Sequence, residues 1–218
     1  MQPELMASPA DVFGAGLCGA ALTAVVEGSA AAHALPVNRW SGRVSGGDRF
    51  LLERCRGTTV DLGCGPGRLA AELASRGQMV LGVDISGEAV TRTRRRGIPV
   101  IQQDVFGPLP REGLWDTALL ADGNVGIGGD PVTLLRRVRR LVHSGGRVVI
   151  DLAAPGTGLR VHQLHLRAGG LTSTTFPWAE LGPDAVEHAG AHAGLAVAEV
   201  VRHGARWVAV LVPELVAP

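Results

Sequence analysis

The chain has 218 residues, a hydrophobic fraction of 46%, a charged fraction of 19% and a formal net charge of +1. This length favours one globular unit with a single core, and the near-zero charge argues against a general affinity for nucleic acid or acidic membranes. The chain contains neither Lys nor Tyr, which excludes Schiff-base chemistry, a P-loop lysine and a tyrosine acid or base.

Cysteine use and the N-terminal composition point to a reduced compartment. Cys18, Cys55 and Cys64 are too few and too scattered for a disulfide framework or a zinc site. The N-terminus lacks the basic region of a signal peptide, and the uncharged residues 12–26 are shorter than a membrane span. We therefore expect a cytoplasmic protein that makes no contact with a membrane.

Residues 1–56 precede the regular part of the chain and are predicted to form an N-terminal arm or cover. Asp11 is a candidate N-cap for a short helix over residues 12–21. Residues 48–55 have the pattern of a short amphipathic helix that leads into the first core strand.

The middle of this arm has two interpretations. Residues 22–35 fit either a poor helix with a glycine in it or a β-hairpin that turns at Glu27-Gly28-Ser29, and the hairpin is favoured. Residues 36–40 are predicted to be extended because Pro36 and the residue before it avoid helix.

From residue 58 onward, strand and helix patterns alternate, which predicts a parallel sheet covered by helices on both faces. The last two strands are joined only by His203-Gly204-Ala205, too short for a crossover helix, so the final strand must run antiparallel to its neighbour. Residues 57–218 are thus predicted to form one α/β unit, a doubly wound, seven-stranded, mostly parallel sheet with an antiparallel last strand. The predicted strands are 58–62, 79–83, 98–102, 116–121, 147–152, 195–202 and 206–212, and the predicted helices are 67–76, 86–96, 131–142 and 182–193.

A long segment, residues 153–181, separates the fifth strand from the last helix. Residues 160–166 alternate polar and apolar side chains, residues 171–176 are rich in Thr, and Gly169 and Gly170 lie between them. This pattern predicts a second hairpin. Ligands of a doubly wound sheet bind beyond the carboxyl ends of its strands, and we expect this segment and the N-terminal arm to cover that edge.

The most informative stretch is the turn that follows the first core strand. Gly63, Gly65 and Gly67 stand at alternate positions between a strand and a helix pattern, where the absence of a Cβ lets a ligand lie against the backbone. Asp84 ends the next strand, 21 residues after Gly63, near the spacing of the carboxylate that holds ribose hydroxyls in nucleotide-binding folds.

This turn resembles the first motif of the class I S-adenosylmethionine (SAM)-dependent methyltransferases, acidic-x-Gly-x-Gly-x-Gly, which here begins at Asp61. The dinucleotide fingerprint G-x-G-x-x-G fits less well. If the fingerprint begins at Gly63, Arg68 stands in place of its third glycine. If it begins at Gly65, it ends in Ala70, which is the weaker G-x-G-x-x-A form. Asp61 also suits a cationic or neutral ligand, such as a sulfonium amino acid, better than a pyrophosphate. The antiparallel last strand is a second point of similarity to this family, and residues 121–130 resemble uncharacterised actinobacterial methyltransferase-like proteins.

The resemblance implies S-adenosyl-L-methionine as the cofactor and assigns residues to each part of it. Asp84 would accept the ribose hydroxyls, Ile85 would pack on the adenine, and Asp104 would accept from the adenine amino group beside a backbone N–H. Ala121 and its neighbour would offer backbone oxygens to the methionine amino group. The full set of implied cofactor residues is Asp61, Gly63, Cys64, Gly65, Gly67, Asp84, Ile85, Asp104, Val105, Ala121 and Asp122.

Side chains for the transfer itself are less clearly marked. Asp122, His162 and His165 are the candidates for a general base, and an arginine of the N-terminal cover, Arg39 or Arg43, is a candidate partner for the SAM carboxylate. His188 and His192 have helical spacing, but no third ligand is in view and no metal is expected.

The predicted function is methyl transfer from SAM to an O, N or C nucleophile of a small-molecule acceptor, by a monomer or homodimer. Two alternatives stay open: a non-catalytic SAM-binding protein and an NAD(P)-dependent oxidoreductase. The first 50 residues and residues 153–181 match no general motif, so the sequence leaves the acceptor undefined.

Overall fold

The computed structural model describes residues 5–29 and 31–214. Its strands are β1 (Leu5–Ala7), β2 (Thr23–Val26), β3 (Ala32–Ala34), β4 (Thr59–Leu62), β5 (Val80–Asp84), β6 (Val100–Gln102), β7 (Trp115–Leu120), β8 (Val142–Leu152), β9 (Leu159–Ala168), β10 (Leu171–Ser173), β11 (Phe176–Leu181), β12 (Leu195–His203) and β13 (Arg206–Pro213). Its helices are α1 (Pro9–Leu17), α2 (Val37–Ser41), α3 (Gly46–Leu52), α4 (Arg68–Ser75), α5 (Gly87–Arg95), α6 (Pro131–Arg139) and α7 (Val186–His192), with a 3₁₀ turn at Asn124–Gly126.

Seven strands form the main sheet, in the order β12-β13-β8-β7-β4-β5-β6. The pairs from β8 to β6 are parallel, whereas β13 runs antiparallel to both β8 and β12. The α/β fold class, with its antiparallel last strand, is thus confirmed. From β4 the chain proceeds outward to β5 and β6 and then crosses back to β7 on the other side of β4. The order of the strands therefore reverses between β4 and β7, and the carboxyl ends of these two strands form the switch point where such sheets bind ligands.

Apolar helix faces cover the main sheet on both sides. Leu134 and Leu135 of α6 and Ala189 of α7 pack into one buried cluster, while Leu69 and Leu73 of α4 pack into another. The near-continuous apolar runs of the central strands follow from this two-sided burial.

The two segments without a general motif meet in a second sheet, here called the cover sheet. β9 lies at its centre, with β2 on one side and with β10 and β11 in succession on the other. The predicted hairpins β2–β3 and β9–β10 are both confirmed. β11 was not predicted as a strand, and Pro177 within it argues against a central strand position. β11 pairs with β9, and its Trp178 also forms an isolated bridge with Ile127.

The N-terminal helix begins earlier than predicted. Ser8 is its N-cap, and the Ser8 hydroxyl accepts from the backbone N–H of Asp11 at 3.1 Å. Asp11 lies inside the first turn, where its carboxylate accepts from the Ser8 hydroxyl at 2.7 Å. The N-cap prediction for Asp11 was wrong because Pro9 at the first helical position sets the start one residue after Ser8.

The predicted extended segment at residues 36–40 was also wrong, since residues 37–41 form α2. A proline restricts the residue before it, but the residues after it are free to enter a helix. The Pro36 carbonyl accepts from the N–H groups of Arg39 and Trp40 at 2.9 and 3.2 Å. This turn points Arg39 and Trp40 toward the edge of the main sheet.

The observed ends of α6 and β8 differ from the predicted ones. α6 ends at Arg139 rather than 142, and β8 begins at Val142 rather than 147. Val142 pairs with Trp115 of β7 ahead of a bulge, which lengthens the strand. None of the helices within the described ranges combines the length and hydropathy that crossing a bilayer requires.

The fit between the 3₁₀ turn and the cover sheet yields a prediction about stability. A methyl group added at Gly126 would overlap the Ala179 carbonyl oxygen of β11. Gly126→Ala should therefore lower the free energy of unfolding by about 1–3 kcal/mol, the usual cost of overpacking, as measured by urea denaturation. Gly46→Ala is the matched control, because a Cβ there meets only the His203 ring at 3.8 Å. Equal stability of the two variants would contradict this packing.

Candidate functional site

A cavity of about 690 Å³ lies between the carboxyl ends of the main-sheet strands and the cover sheet. This volume is in the range of small-molecule sites. Most of the sequence-predicted site residues form part of its wall, whereas Gly67, His162 and His165 do not. The predicted residues that line it are Asp61, Gly63, Cys64, Gly65, Asp84, Ile85, Asp104, Val105, Ala121 and Asp122.

The three glycines of the β4–α4 turn have distinct roles. All have positive φ, +70° at Gly63, +54° at Gly65 and +78° at Gly67. A Cβ at Gly65 would meet nothing within 4 Å, so this residue presents bare backbone to the cavity, whereas a Cβ at Gly67 would lie 2.6 Å from the Thr93 hydroxyl. Gly67 therefore packs the turn against α5 instead of lining the cavity.

Asp84 holds the same turn from the next strand. One carboxylate oxygen accepts from the Gly65 N–H at 2.7 Å and the other accepts from the Ser86 N–H at 2.8 Å. Burial raises the pKa of Asp84, and these backbone donors oppose the rise. Each carboxylate oxygen can accept more than one hydrogen bond, so Asp84 can bind ligand hydroxyls while it fixes the turn.

A largely exposed apolar surface lies next to Asp84. The Ile85 side chain is 58% exposed and Phe106 is 37% exposed, although both line the cavity. Between them in the wall, the Asp104 carboxylate accepts from the Phe106 N–H at 2.9 Å, and Val105 is buried. These four residues form an open slot with a carboxylate at its rim, suited to a flat heterocycle that carries an amino group.

Asp61 is the most unusual group in the wall. Its carboxyl is 1% exposed, and one of its oxygens has no hydrogen-bond partner among the described residues. Burial and, to a smaller extent, the neighbouring carboxylates of Asp122 and Asp84 together raise the pKa of Asp61 to about 7, against the opposing charge of Arg68. A buried, unpartnered carboxyl is costly, and a cationic ligand in the cavity would supply the missing partner.

Asp122 follows the end of β7, the fourth core strand, in a left-handed conformation with φ +52°. Such a backbone costs free energy in a non-glycine residue and persists only where its surroundings enforce it. Here the Asp122 carboxylate accepts from Arg68 at 2.6 Å, from Arg39 at 3.2 Å and from Arg206 at 3.3 Å. These three arginines come from α4, from the cover and from the last strand.

Two further carboxylates complete what we call the acid–arginine cluster, defined as Asp48, Asp122, Asp151, Arg39, Arg68 and Arg206. Asp48 is fully buried and contacts both Arg68 and Arg206. Burial opposes its ionisation, but the bonds from Arg68 and Ser45 outweigh burial and hold the pKa of Asp48 well below its ordinary range. Asp151 accepts from Arg206 at 2.8 Å and from the Asp122 N–H at 3.1 Å.

The cluster changes the role expected of Asp122. Its two oxygens already accept from arginines, so Asp122 is better placed to shape the cavity than to remove a proton. Arg39, a sequence candidate for the SAM carboxylate, contacts Asp122 and stays half exposed.

Neither candidate histidine is among the residues that line the cavity. Side chains alternate along a strand, and Leu164 and Leu166 of β9 face the cavity, so His165 points to the other face. His162 shares the face of Leu164 and Leu166, and its Nε2 atom lies 3.3 Å from the Glu180 carboxylate.

Cys64 and the paired histidines of α7 do not offer other chemistry. Burial raises the pKa of the Cys64 thiol, and the charges of Asp61 and Asp84 raise it further, so the residue is a packing group and not a thiolate. His192 and His188 contact each other at a ring separation of 4.2 Å. No set of three or more His, Cys, Asp or Glu within the described residues is grouped to hold a metal.

Sequence reasoning missed several members of this site. Asp48, Asp151 and Arg206 are far apart in the chain and belong to no motif. Asn124 was also missed; its amide donates to the carbonyls of Leu62 and Gly63 at 3.0 and 2.8 Å and ties the glycine turn to the loop after β7. An Asn in a glycine-rich loop at a strand end was the available signal.

Comparisons with known proteins bear on this arrangement. A family model described as a methyltransferase domain matches residues 59–146. A demethylmenaquinone methyltransferase of Corynebacterium kroppenstedtii is 32% identical over 91 residues, which cover 42% of this chain and 39% of that protein. The match thus spans about two fifths of the relative's length.

Solved structures extend the likeness to the whole fold. A SAM-dependent methyltransferase from Bacteroides fragilis, crystallised with S-adenosyl-L-homocysteine, has a TM-score of 0.82 at 20% identity, over 97% of this chain and 98% of that one. The CcbJ methyltransferase from Streptomyces caelestis has a TM-score of 0.60 at 18% identity, over 80% of this chain and 92% of that one. The family model thus describes residues 59–146 as similar to a methyltransferase domain, and the solved structures show that the chain has the fold of the SAM-dependent methyltransferases to which it is similar.

Proposed function

We propose that this protein binds SAM in the cavity between its two sheets and transfers the methyl group to a small-molecule acceptor. The observation that carries the proposal is that the carboxyls of Asp61 and Asp84 both line the cavity together with the bare backbone of Gly65, to which Asp84 is hydrogen-bonded. Asp61 is buried with one oxygen that has no hydrogen-bond partner among the described residues, and Asp84 fixes the turn while its oxygens keep further lone pairs. SAM contains what each lacks, an ammonium group for Asp61 and a ribose diol for Asp84.

Other residues and backbone groups of the cavity wall fit the remaining parts of SAM. The slot formed by Ile85, Asp104, Val105 and Phe106 would take the adenine. The backbone carbonyls near Ala121 would accept from the methionine amino group. When bound, SAM supplies a methyl group already activated by its sulfonium sulfur; the protein's task is to hold the acceptor in line with it, and such alignment is worth about 7–11 kcal/mol.

A dinucleotide fits the same wall poorly. Its pyrophosphate would lie at the glycine turn, and the unpartnered carboxyl of Asp61 would lie beside it. A buried carboxyl near an anion is destabilising for both groups. This argument favours SAM over NAD(P) and disfavours the oxidoreductase alternative.

The small-molecule acceptor is supported by the site's enclosure and by the neighbours. The cover sheet closes over the carboxyl edge of the main sheet and leaves a cavity of small-molecule size. One structural neighbour, KedS8 from Streptoalloteichus, is described as a sugar N-methyltransferase, with a TM-score of 0.57 at 21% identity over 77% of this chain and 85% of that one. The sequence relative named above is described as acting on demethylmenaquinone.

Calorimetric titration tests the cofactor assignment directly. We expect SAM and S-adenosylhomocysteine each to bind with a stoichiometry of one and NAD⁺ to give no heat. Binding of NAD⁺ without binding of either sulfur compound would overturn the proposal. Release of S-adenosylhomocysteine in the presence of an acceptor would then distinguish an enzyme from a protein that only binds SAM.

Asp84 provides a specific test of the ribose site. Asp84→Asn should weaken S-adenosylhomocysteine binding roughly 10- to 100-fold, because hydrogen bonds to a charged group are worth about 1.5–3 kcal/mol. Asp130→Asn is the matched control, since Asp130 caps α6 outside the cavity and Asn caps equally well. Equal affinity of the two variants, measured by calorimetry, would remove Asp84 from the site.

Asp61 predicts a pH dependence of SAM binding. A cation favours the ionised carboxylate, so binding should lower the pKa of Asp61 from about 7 and release a proton. SAM affinity should therefore rise between about pH 6 and 8 and then level off, while Asp61→Asn should bind more weakly and with no such rise. Titrations in buffers of different ionisation enthalpy would measure the proton released. The same pH profile in wild type and Asp61→Asn would contradict the assignment.

A further inference from the structure

The cavity has two chemically different halves. The cofactor half consists of the wall residues from the main sheet and its loops, and it carries every charged side chain of the wall. The cover half consists of the wall residues from the N-terminal segment and from β9–β11. Every residue of the cover half is apolar, and the largest are Leu35, Trp40, Leu164, Leu166, Phe176 and Trp178.

Aromatic side chains are concentrated at this cavity. The chain has only four Phe and four Trp, and five of these eight line the cavity, four of them in the cover half. Phe13 and Trp40 form one pair with ring centroids 5.7 Å apart, and Phe176 and Trp178 form an edge-to-face pair at 6.5 Å. Rings placed in this way present faces and edges to a flat aromatic guest.

The charges of the wall exclude an anionic guest. Four carboxyl groups, those of Asp61, Asp84, Asp104 and Asp122, line the cavity, and Arg68 is the only basic side chain of the described residues that lines it. Arg68 already contacts Asp48 and Asp122. A carboxylate or phosphate on the acceptor would thus lose its hydration without gaining an unpaired cationic side chain of the wall, which is unfavourable.

A highly hydroxylated guest is also disfavoured. The only side-chain hydrogen-bonding groups in the cover half are the indole N–H groups of its two tryptophans. Each buried hydroxyl of a sugar would leave water without finding a partner there, and such unpaired groups reject a ligand strongly.

We propose that the acceptor is an uncharged, planar aromatic molecule, bound between the aromatic pairs of the cover half. Calling the bound molecule an acceptor rests on the proposed methyl transfer. The aromatic binding site itself is formed by this chain's own residues and does not depend on that proposal. Among the described residues no histidine lines the cavity, so an acceptor whose nucleophile needs no strong base suits it best.

Three soluble probes test this class by calorimetry at pH 7.5, with and without saturating S-adenosylhomocysteine. The probes are 2-naphthol, which is neutral, 2-naphthoate, which places a carboxylate on the same ring, and glucosamine. We expect 2-naphthol to bind at least about tenfold more tightly than 2-naphthoate, and glucosamine to give no heat. Binding of 2-naphthoate or glucosamine as tight as that of 2-naphthol would overturn the inference.

Paired substitutions locate the binding site. Phe176→Leu should weaken 2-naphthol binding about 2- to 10-fold, the equivalent of one lost aromatic contact, with affinity for S-adenosylhomocysteine unchanged. Phe50→Leu is the matched control, because Phe50 is also half-buried but stacks on His203 outside the cavity. Trp40→Leu serves as a second variant, and thermal melts establish that each variant is folded. Equal 2-naphthol affinities in all three variants would overturn the site.

The two proposals fail in different ways. In one case 2-naphthol binds, Phe176→Leu weakens 2-naphthol binding, and S-adenosylhomocysteine does not bind. The proposed methyl transfer is then wrong and the proposed aromatic site stands. If S-adenosylhomocysteine binds and 2-naphthol does not, the cofactor assignment stands and the acceptor class is wrong.

Discussion

The acid–arginine cluster is the constraint on which the site depends, because it joins parts of the chain that no single element connects. Arg206 begins the last strand, and through Asp151 and Asp48 it ties that strand to the end of β8 and to α3. Arg68 begins α4 directly after the glycine turn and contacts Asp48 and Asp122. The position of the turn is therefore fixed from the far end of the sequence as well as from its own strand.

The antiparallel last strand gains a functional meaning from this arrangement. Because β13 enters the sheet in reverse, its first residue lies at the carboxyl edge, beside the ends of β7 and β8. A parallel strand in the same place would bring its last residue there instead. The reversed direction of β13 thus places the Arg206 guanidinium in contact with Asp48, Asp122 and Asp151. Its positive charge offsets the repulsion among these three carboxylates, which an apolar side chain in the same place could not do.

The two halves of the cavity offer different kinds of groups to a ligand. The cofactor half uses backbone and carboxyl groups on the rigid strand ends, where positions are precise. The cover half is built from a sheet whose strands come from both the N-terminal segment and residues 159–181, and it offers shape and apolar surface. Such a division allows the cover to change its guest while the cofactor half stays constant, since site chemistry and fold are separable.

The sequence by itself determined the elements whose signals are local: the alternation of strands and helices, the hairpin that forces the last strand to reverse, and the spacing of Gly63, Gly65 and Asp84. It did not reveal α2, since Pro36 constrains the residue before it and leaves the residues after it free. Only the tertiary structure decided that Asp48, Asp151 and Arg206 meet, that the two unassigned segments share one sheet, and that His162 and His165 stay out of the cavity. The physical reason is that burial and ion pairing are set by contacts between distant segments, whereas turns and periodic faces are set by neighbours in the chain.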